Sequence, residues 1–258
     1  MIILYHHVAP AARRPHDPEE LRKAGWGFTH SPEAFEAQLL ELRRRRYRFI
    51  SLGQLLDEIR SNGEERPDSL VVTFDDGWID NHEYAFPILK KLGITATFFV
   101  TTEHLRSGVR DPRRMGPQDL KELVREGFTV GTHTRTHPDL TRVPGESAWA
   151  EIAGCKEDVE QALGVAVDFF AYPGGAFNAT IAGLTRRAGY QAACSVLGPK
   201  SNDASSLFWL YRDLLTHSLN TLGDYYRMSP IARKLFSFRV NRRLKRRLAG
   251  TNPPFSRF

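Results

Sequence analysis

The chain has 258 residues, 41% of them hydrophobic, and only two cysteines. It can bury one core of barrel size but has no disulfide framework, so Cys155 and Cys194 read as ordinary buried thiols. Its net charge of +6 sits at one end: residues 225–258 hold ten Arg or Lys and no acid, so the basic balance says nothing about the rest. No basic leader, long apolar stretch or small-residue cleavage site opens the sequence, which reads as cytoplasmic, without signal peptide or transmembrane segment.

Residues 2–8 read as a first strand, followed by a polar loop to residue 30. Ser31-Pro32-Glu33 opens a helix, with Ser as N-cap and Pro in its first position. Phe35, Leu39 and Leu42 fall on one face of it, and Arg43 to Arg46 oppose its dipole. That basic run needs no nucleic acid to explain it. A strand at 48–50 and a helix at 53–60 come next, then a buried β-branched strand at 70–74. A helix at 81–92 is stopped by Gly93 and followed by a strand at 94–100. Helices at 117–126, 147–163 and 178–188 then alternate with strands at 128–131, 167–172 and 190–195. A last strand lies within 208–215. Strands alternating with helices predict parallel pairing through right-handed crossovers, hence an open or closed α/β barrel over residues 1–224. In the tail, Phe236, Val240, Leu244 and Leu248 recur every fourth residue among arginines and lysines. That is the pattern of a basic amphipathic helix, packed on the barrel or peripheral to an anionic membrane. No nucleic-acid motif accompanies the charge.

Chemistry concentrates where Asp75 and Asp76 follow the 70–74 strand and His133 and His137 follow the 128–131 strand. Strand C-termini carry the active sites of such barrels. Two acids beyond a buried strand are costly unless a cation receives them. Asp76, His133 and His137 make an open set of one carboxylate and two imidazoles, as catalytic metal sites do. Such a set suits Zn2+, and also Co2+, Ni2+ or Fe2+. One aspartate stays free to take a proton from an activated water. The bland reading, helix-capping aspartates and loop histidines, explains either half alone but not their coincidence on successive strand ends.

Three motifs in order resemble the polysaccharide deacetylases, the NodB-homology or carbohydrate esterase family 4 group, over residues 1–227. They are Thr73-Phe74-Asp75-Asp76-Gly77, His133-Thr134-Arg135-Thr136-His137 and Phe170-Ala171-Tyr172-Pro173-Gly174-Gly175. Tyr5-His6-His7-Val8 and the stretch from Asp80-Asn81 to Pro87 resemble the exopolysaccharide-deacetylase branch, in which an N-terminal Tyr-His strand completes a permuted barrel. The resemblance implies a distorted or circularly permuted (β/α)7-like barrel that removes N-acetyl groups from an amino-sugar glycan. It implies Asp75 as base, Asp76, His133 and His137 as metal ligands, and the Gly174 amide as a donor to the acetyl oxygen. His6 is the implied acid, with His217 of Leu215-Thr216-His217 as the rival.

The sequence departs from the family at Ala171, where many members carry the arginine that orients the base; Arg212 is the candidate replacement. Trp78 is the candidate sugar platform, and Tyr172, Pro173 and Gly175 flank the substrate position. His7 should face away from His6 and reads as structural. His16, His30, His82 and His104 read as solvent-facing loop or helix-start residues. The rival functions are an O-acetyl esterase or other linear-amide hydrolase on the same site, and a degenerate barrel that binds glycan without turnover.

Overall fold

The computed structural model describes residues 1–15, 28–198 and 202–214. The basic tail with its membrane reading, His16, His217 and the expected boundary at 224 lie outside them. The strands are β1 (Ile2–Tyr5), β2 (His7–Val8), β3 (Thr29–His30), β4 (Arg48–Phe49), β5 (Ser69–Phe74), β6 (Ala96–Val100), β7 (Thr129–Thr132), β8 (Phe169–Ala171), β9 (Ala192–Ser195) and β10 (Leu210–Leu214). From β5 to β10 each strand pairs with the next, and β1 joins β10 back to β5, all in parallel. The ring is therefore a closed seven-stranded barrel with helices around it. β4 adds to β5 outside the ring, and β2 with β3 forms a separate ribbon.

The helices start where short polar side chains take up their orphan amides. Ser31 accepts from Ala34 at 3.2 Å, and Ser51 and Gln54 form a reciprocal capping box at 3.1 and 2.9 Å. Each such cap is worth about 1 kcal/mol. Helix Pro32–Arg44 buries Phe35, Leu39 and Leu42 as its pattern predicts. Helix Leu52–Asn62 packs Leu52, Leu55, Leu56 and Ile59 into one cluster with Ile2, Val71, Phe99, Phe169, Cys194 and Leu210. Those last residues come from six of the seven ring strands, so the cluster marks the barrel interior. Side chains alternate along a strand, so the same inward face continues to Thr73 and Asp75, to Gly131 and His133, and to Arg212. Both cysteines are buried and unbridged.

Three elements differ from expectation. The strand at 2–8 breaks at His6, whose carbonyl is taken by the Asn81 side-chain amide at 2.9 Å. His7 and Val8 then leave the barrel to pair with β3. The helix expected at 81–92 opens as a π-turn, Asn81–Ala85, before α-helix Phe86–Leu92. Pro87 explains this: inside one continuous α-helix it would lack an N–H and clash with the carbonyl four residues earlier. A short helix, Glu103–Ser107, has no periodic signal in so few residues. Among the described residues no helix is long and apolar enough to cross a membrane.

Candidate active site

Asp75 and Asp76 are adjacent in sequence but held in opposite ways. Arg212 Nη1 and Nη2 donate to Asp75 Oδ1 and Oδ2 at 2.6 and 2.7 Å, a bidentate pair with side-chain exposures of 1% and 4%. Arg212 reaches from β10 past β1 to the end of β5, and Nη1 also donates to Thr73 at 3.3 Å. Burial alone would raise the Asp75 carboxyl, but the Arg212 charge and hydrogen bonds, with the nearby His133 and His6, together more than offset it and the net direction is down. Asp75 is thus an oriented, ionised carboxylate in a dry setting. Asp76 turns the other way. Its Oδ1 lies 3.5 Å from His137 Nε2 and 3.8 Å from His133 Nε2, while Oδ2 accepts from the Trp78 indole N–H at 3.1 Å.

His133 follows β7 and is 2% exposed. Its Nδ1 donates to the Ala171 carbonyl at 2.7 Å, which leaves Nε2 with a lone pair aimed at the carboxylates. Burial pushes this imidazole down to about 4, against the pull of Asp75 and Asp76, so it is neutral at ordinary pH. The Ala171 carbonyl thus has a task although its side chain is not the family's arginine. His137 is more exposed and completes the set: one oxygen and two imidazole nitrogens within 4.8 Å of one another.

The backbone around these ligands is strained. Among the described residues four non-glycines have positive φ, and three are here: Asp76 at 73°, Thr134 at 66° and His137 at 62°. Such conformations cost about 1–3 kcal/mol each and persist only where surroundings impose them. Arg114 and Thr101 donate to the Asp76 carbonyl. Thr134 Oγ1 accepts from the His137 amide at 3.0 Å. Helix Gly145–Leu163 holds the rest of the loop. Glu151 accepts from the amides of Arg135 and Thr136 at 2.8 and 2.9 Å, and Asp158 takes Arg135 through two bonds of 2.8 Å. Gly154 lies between them on the same helix face, where a Cβ would come within 2.1 Å of the Arg135 guanidinium carbon. This support escaped the sequence reading. Its only signal there was Glu151, Gly154 and Asp158 at i, i+3 and i+7.

The other expected residues divide. His6 stands at the rim where β1 ends, and its Nδ1 has no hydrogen-bond partner among the described residues. Burial lowers its pKa, opposed by Asp76 and Asp75. Gly174 has φ 60° in an exposed turn after Pro173. Trp78 and Tyr172 are 6% and 0% exposed, so neither offers the open stacking face expected of it. Trp78 is covered by Arg114 and His7. The Tyr172 ring stacks on Phe177, and its hydroxyl donates to the Phe208 carbonyl at 2.9 Å. Pro173 and Gly175 are buried too, and a Cβ on Gly175 would strike Val196 at 2.5 Å. These two shape the turn; they present no side-chain surface to a sugar. His7 is buried against Asp80, in line with a structural role. His30 is buried in β3, His82 pairs with Glu122, and His104 donates to the Met115 carbonyl, so none of them is a free solvent-facing residue. A cavity of 270 Å³ opens beside His137, lined by Arg114, Arg135, Thr136, Glu103, His104 and Val109 among others. Arg135, Thr136 and His137 belong to the second motif, but no motif points to the rest of this wall.

Residues 62–193 match the family model described as polysaccharide deacetylase. The Streptococcus pyogenes deacetylase PplD, solved in complex with acetate, superposes with a TM-score of 0.71 at 26% identity, covering 86% of this chain and 96% of that one. IcaB from Ammonifex degensii gives 0.70 at 25%, covering 83% and 91%. The Bacillus subtilis peptidoglycan-N-acetylmuramic acid deacetylase PdaA is 28% identical over 196 residues, 74% of this chain and 65% of PdaA. A Staphylococcus aureus poly-beta-1,6-N-acetyl-D-glucosamine N-deacetylase is 29% identical over 117 residues, 45% of this chain and 40% of that protein. The chain spans less than two thirds of the length of its long-matching curated relatives, 62% and 65%.

Proposed function

The chain belongs to the polysaccharide deacetylase family, and on that premise we propose that it is a metal-dependent hydrolase removing N-acetyl groups from an amino-sugar glycan. The substrate would be free, lipid-linked or polymeric, and the product acetate. The observation that carries the reading is the division of labour between two neighbouring aspartates. Both Asp75 oxygens engage Arg212, whereas Asp76 directs one oxygen at His133 and His137. The donor set fits a divalent ion: a carboxylate oxygen, and two imidazoles, one with its tautomer already fixed for ligation. Zn2+ suits it best, with Co2+, Ni2+ or Fe2+ as alternatives. The names of PdaA and of the Staphylococcus aureus relative support N-acetylated glycan as the substrate class.

A divalent cation held by Asp76, His133 and His137 would polarise the acetyl carbonyl and acidify a water. Asp75 would take that water's proton, and the bidentate bonds from Arg212 to its carboxylate support that role. The Gly174 amide would donate to the oxygen that gains charge; losing a donor of this kind typically costs about a hundred-fold or more in rate. His6 would protonate the departing amine. An ester needs no such acid, so His6 is what favours an amide over an O-acetyl substrate.

The test is acetate release from N-acetylglucosamine oligomers, measured with bound metal before chelation, after it, and after metal is restored. Turnover that follows metal content supports the reading. A protein that holds metal yet releases acetate only from O-acetylated glycan is the esterase, and one that hydrolyses neither ester nor amide is a binding barrel.

A further inference from the structure

The metal-facing carboxylate has a second set of partners that the motifs do not describe. The Trp78 N–H holds Asp76 Oδ2 at 3.1 Å and leaves Oδ1 alone facing the imidazoles. The indole is fixed in its turn. The Arg114 guanidinium carbon lies 3.5 Å from the ring centroid, and Nη1 of the same residue donates to the Asp76 carbonyl. His7 packs on the ring at 4.7 Å and is anchored to Asp80 by a 2.6 Å bond. The backbone completes the clamp. Met115 donates to Gly77 at 2.9 Å and Ile79 to Arg113 at 2.8 Å, so the loop carrying Arg114 is laced onto the Asp-Asp-Gly turn.

We propose that Trp78 and Arg114 are positioning residues for the metal: they make Asp76 a one-oxygen ligand and hold it in its left-handed backbone conformation. The inference rests on the reading of Asp76 as a ligand. The physical grounds are general. A carboxylate free to rotate can offer either oxygen or both, whereas one whose second oxygen accepts a buried N–H presents a single lone-pair direction. Partners of this kind typically contribute 10–100-fold in metal affinity. Arg114 acts on the same residue from behind, because Asp76 at φ 73° needs its carbonyl satisfied in that unusual direction. Since Arg114 also lines the 270 Å³ cavity beside His137, the clamp joins the metal ligand to a wall of the cleft.

Trp78→Phe removes the N–H and keeps an aromatic six-membered ring in the turn, losing the smaller ring of the indole. Affinity for Zn2+ would be measured by competition with a chromogenic chelator, and ligation by the visible spectrum of the Co2+ protein. The expected result is a roughly 10–100-fold loss of affinity, with a changed Co2+ spectrum as the freed oxygen reaches the ion. Arg114→Gln, at a partly exposed position, should lose affinity as well and decides the matter should Trp78→Phe fail to fold. Wild-type affinity within two-fold and an unchanged spectrum in the folded variants overturn the proposal. Absence of metal binding in the wild-type protein instead overturns the ligand assignment on which it rests.

Discussion

Arg212→Met isolates the Arg212–Asp75 pair, because methionine fills much of the volume and removes the charge. Both partners are buried, at 1% and 4% side-chain exposure, and the two bonds are 2.6 and 2.7 Å. Removing one member of such a pair leaves an uncompensated buried charge, which typically costs about 3–5 kcal/mol. Taking a urea slope of about 3 kcal/mol per molar, the upper end of the usual range, the unfolding midpoint should fall by about 1–1.7 M. The pH dependence has a definite sign. In the wild type the folded Asp75 carboxyl is depressed, so its stabilisation is present above the unfolded carboxyl value and is lost as pH falls through the folded one. In Arg212→Met burial, the largest influence on this carboxyl, loses its main opponent and raises it, so the variant loses stability as pH rises and its deficit shrinks on acidification. Urea titrations at pH 7 and 5 in chelator would measure both effects. A deficit under about 1 kcal/mol at pH 7, or one that grows at pH 5, would refute the account.

Asp75→Asn should keep the bound metal while turnover falls by roughly a hundred-fold or more, whereas Asp76→Asn should lose the metal; metal analysis of both variants exchanges their roles if the pattern reverses. His6→Ala should damage amide hydrolysis far more than hydrolysis of an ester with a good leaving group, and equal damage in steady-state kinetics points to a structural histidine. Gly154→Val should push Arg135 off helix Gly145–Leu163 and weaken metal binding through the His133–His137 loop. Chelator competition on the folded variant checks this, with wild-type affinity as the refuting result.

The barrel was legible because its strands are short apolar runs, three of them entered soon after the helix-ending Gly93, Gly127 and Gly189, and its helices begin at Ser31, Pro117 and Asn178 with side chains suited to those positions. Asp75, Asp76, His133 and His137 could be read as one group because each follows such a run. Arg212 was legible only through an absence: with alanine at 171, another cation had to meet the base, and β10 supplies it. What could not be read depends on contacts far apart in the chain. The break at His6 requires Asn81, and the burial of Trp78 requires Arg114 and His7. The polar face of Glu151, Gly154 and Asp158 is the outer side of an ordinary amphipathic helix until Arg135 is known to lie on it. An exposed aromatic beside a motif and a buried one look alike in sequence.

The pairing of β1 between β5 and β10 gives the chemistry a clock. His6 directly follows the first strand of the ring and Arg212 lies on the last, with the metal ligands following strands between them. No short stretch of the chain contains the proposed site, so on that reading a nascent or partly unfolded chain would have nothing with which to hydrolyse an acetyl group. Arg212 must cross from β10 over β1 to find Asp75, and that contact can form only once the first and last strands of the ring have met. Contacts so distant along the chain form late, after the loop between them has been closed. Activity would therefore report the final closure event of the fold, and catalytic competence would appear together with the finished ring.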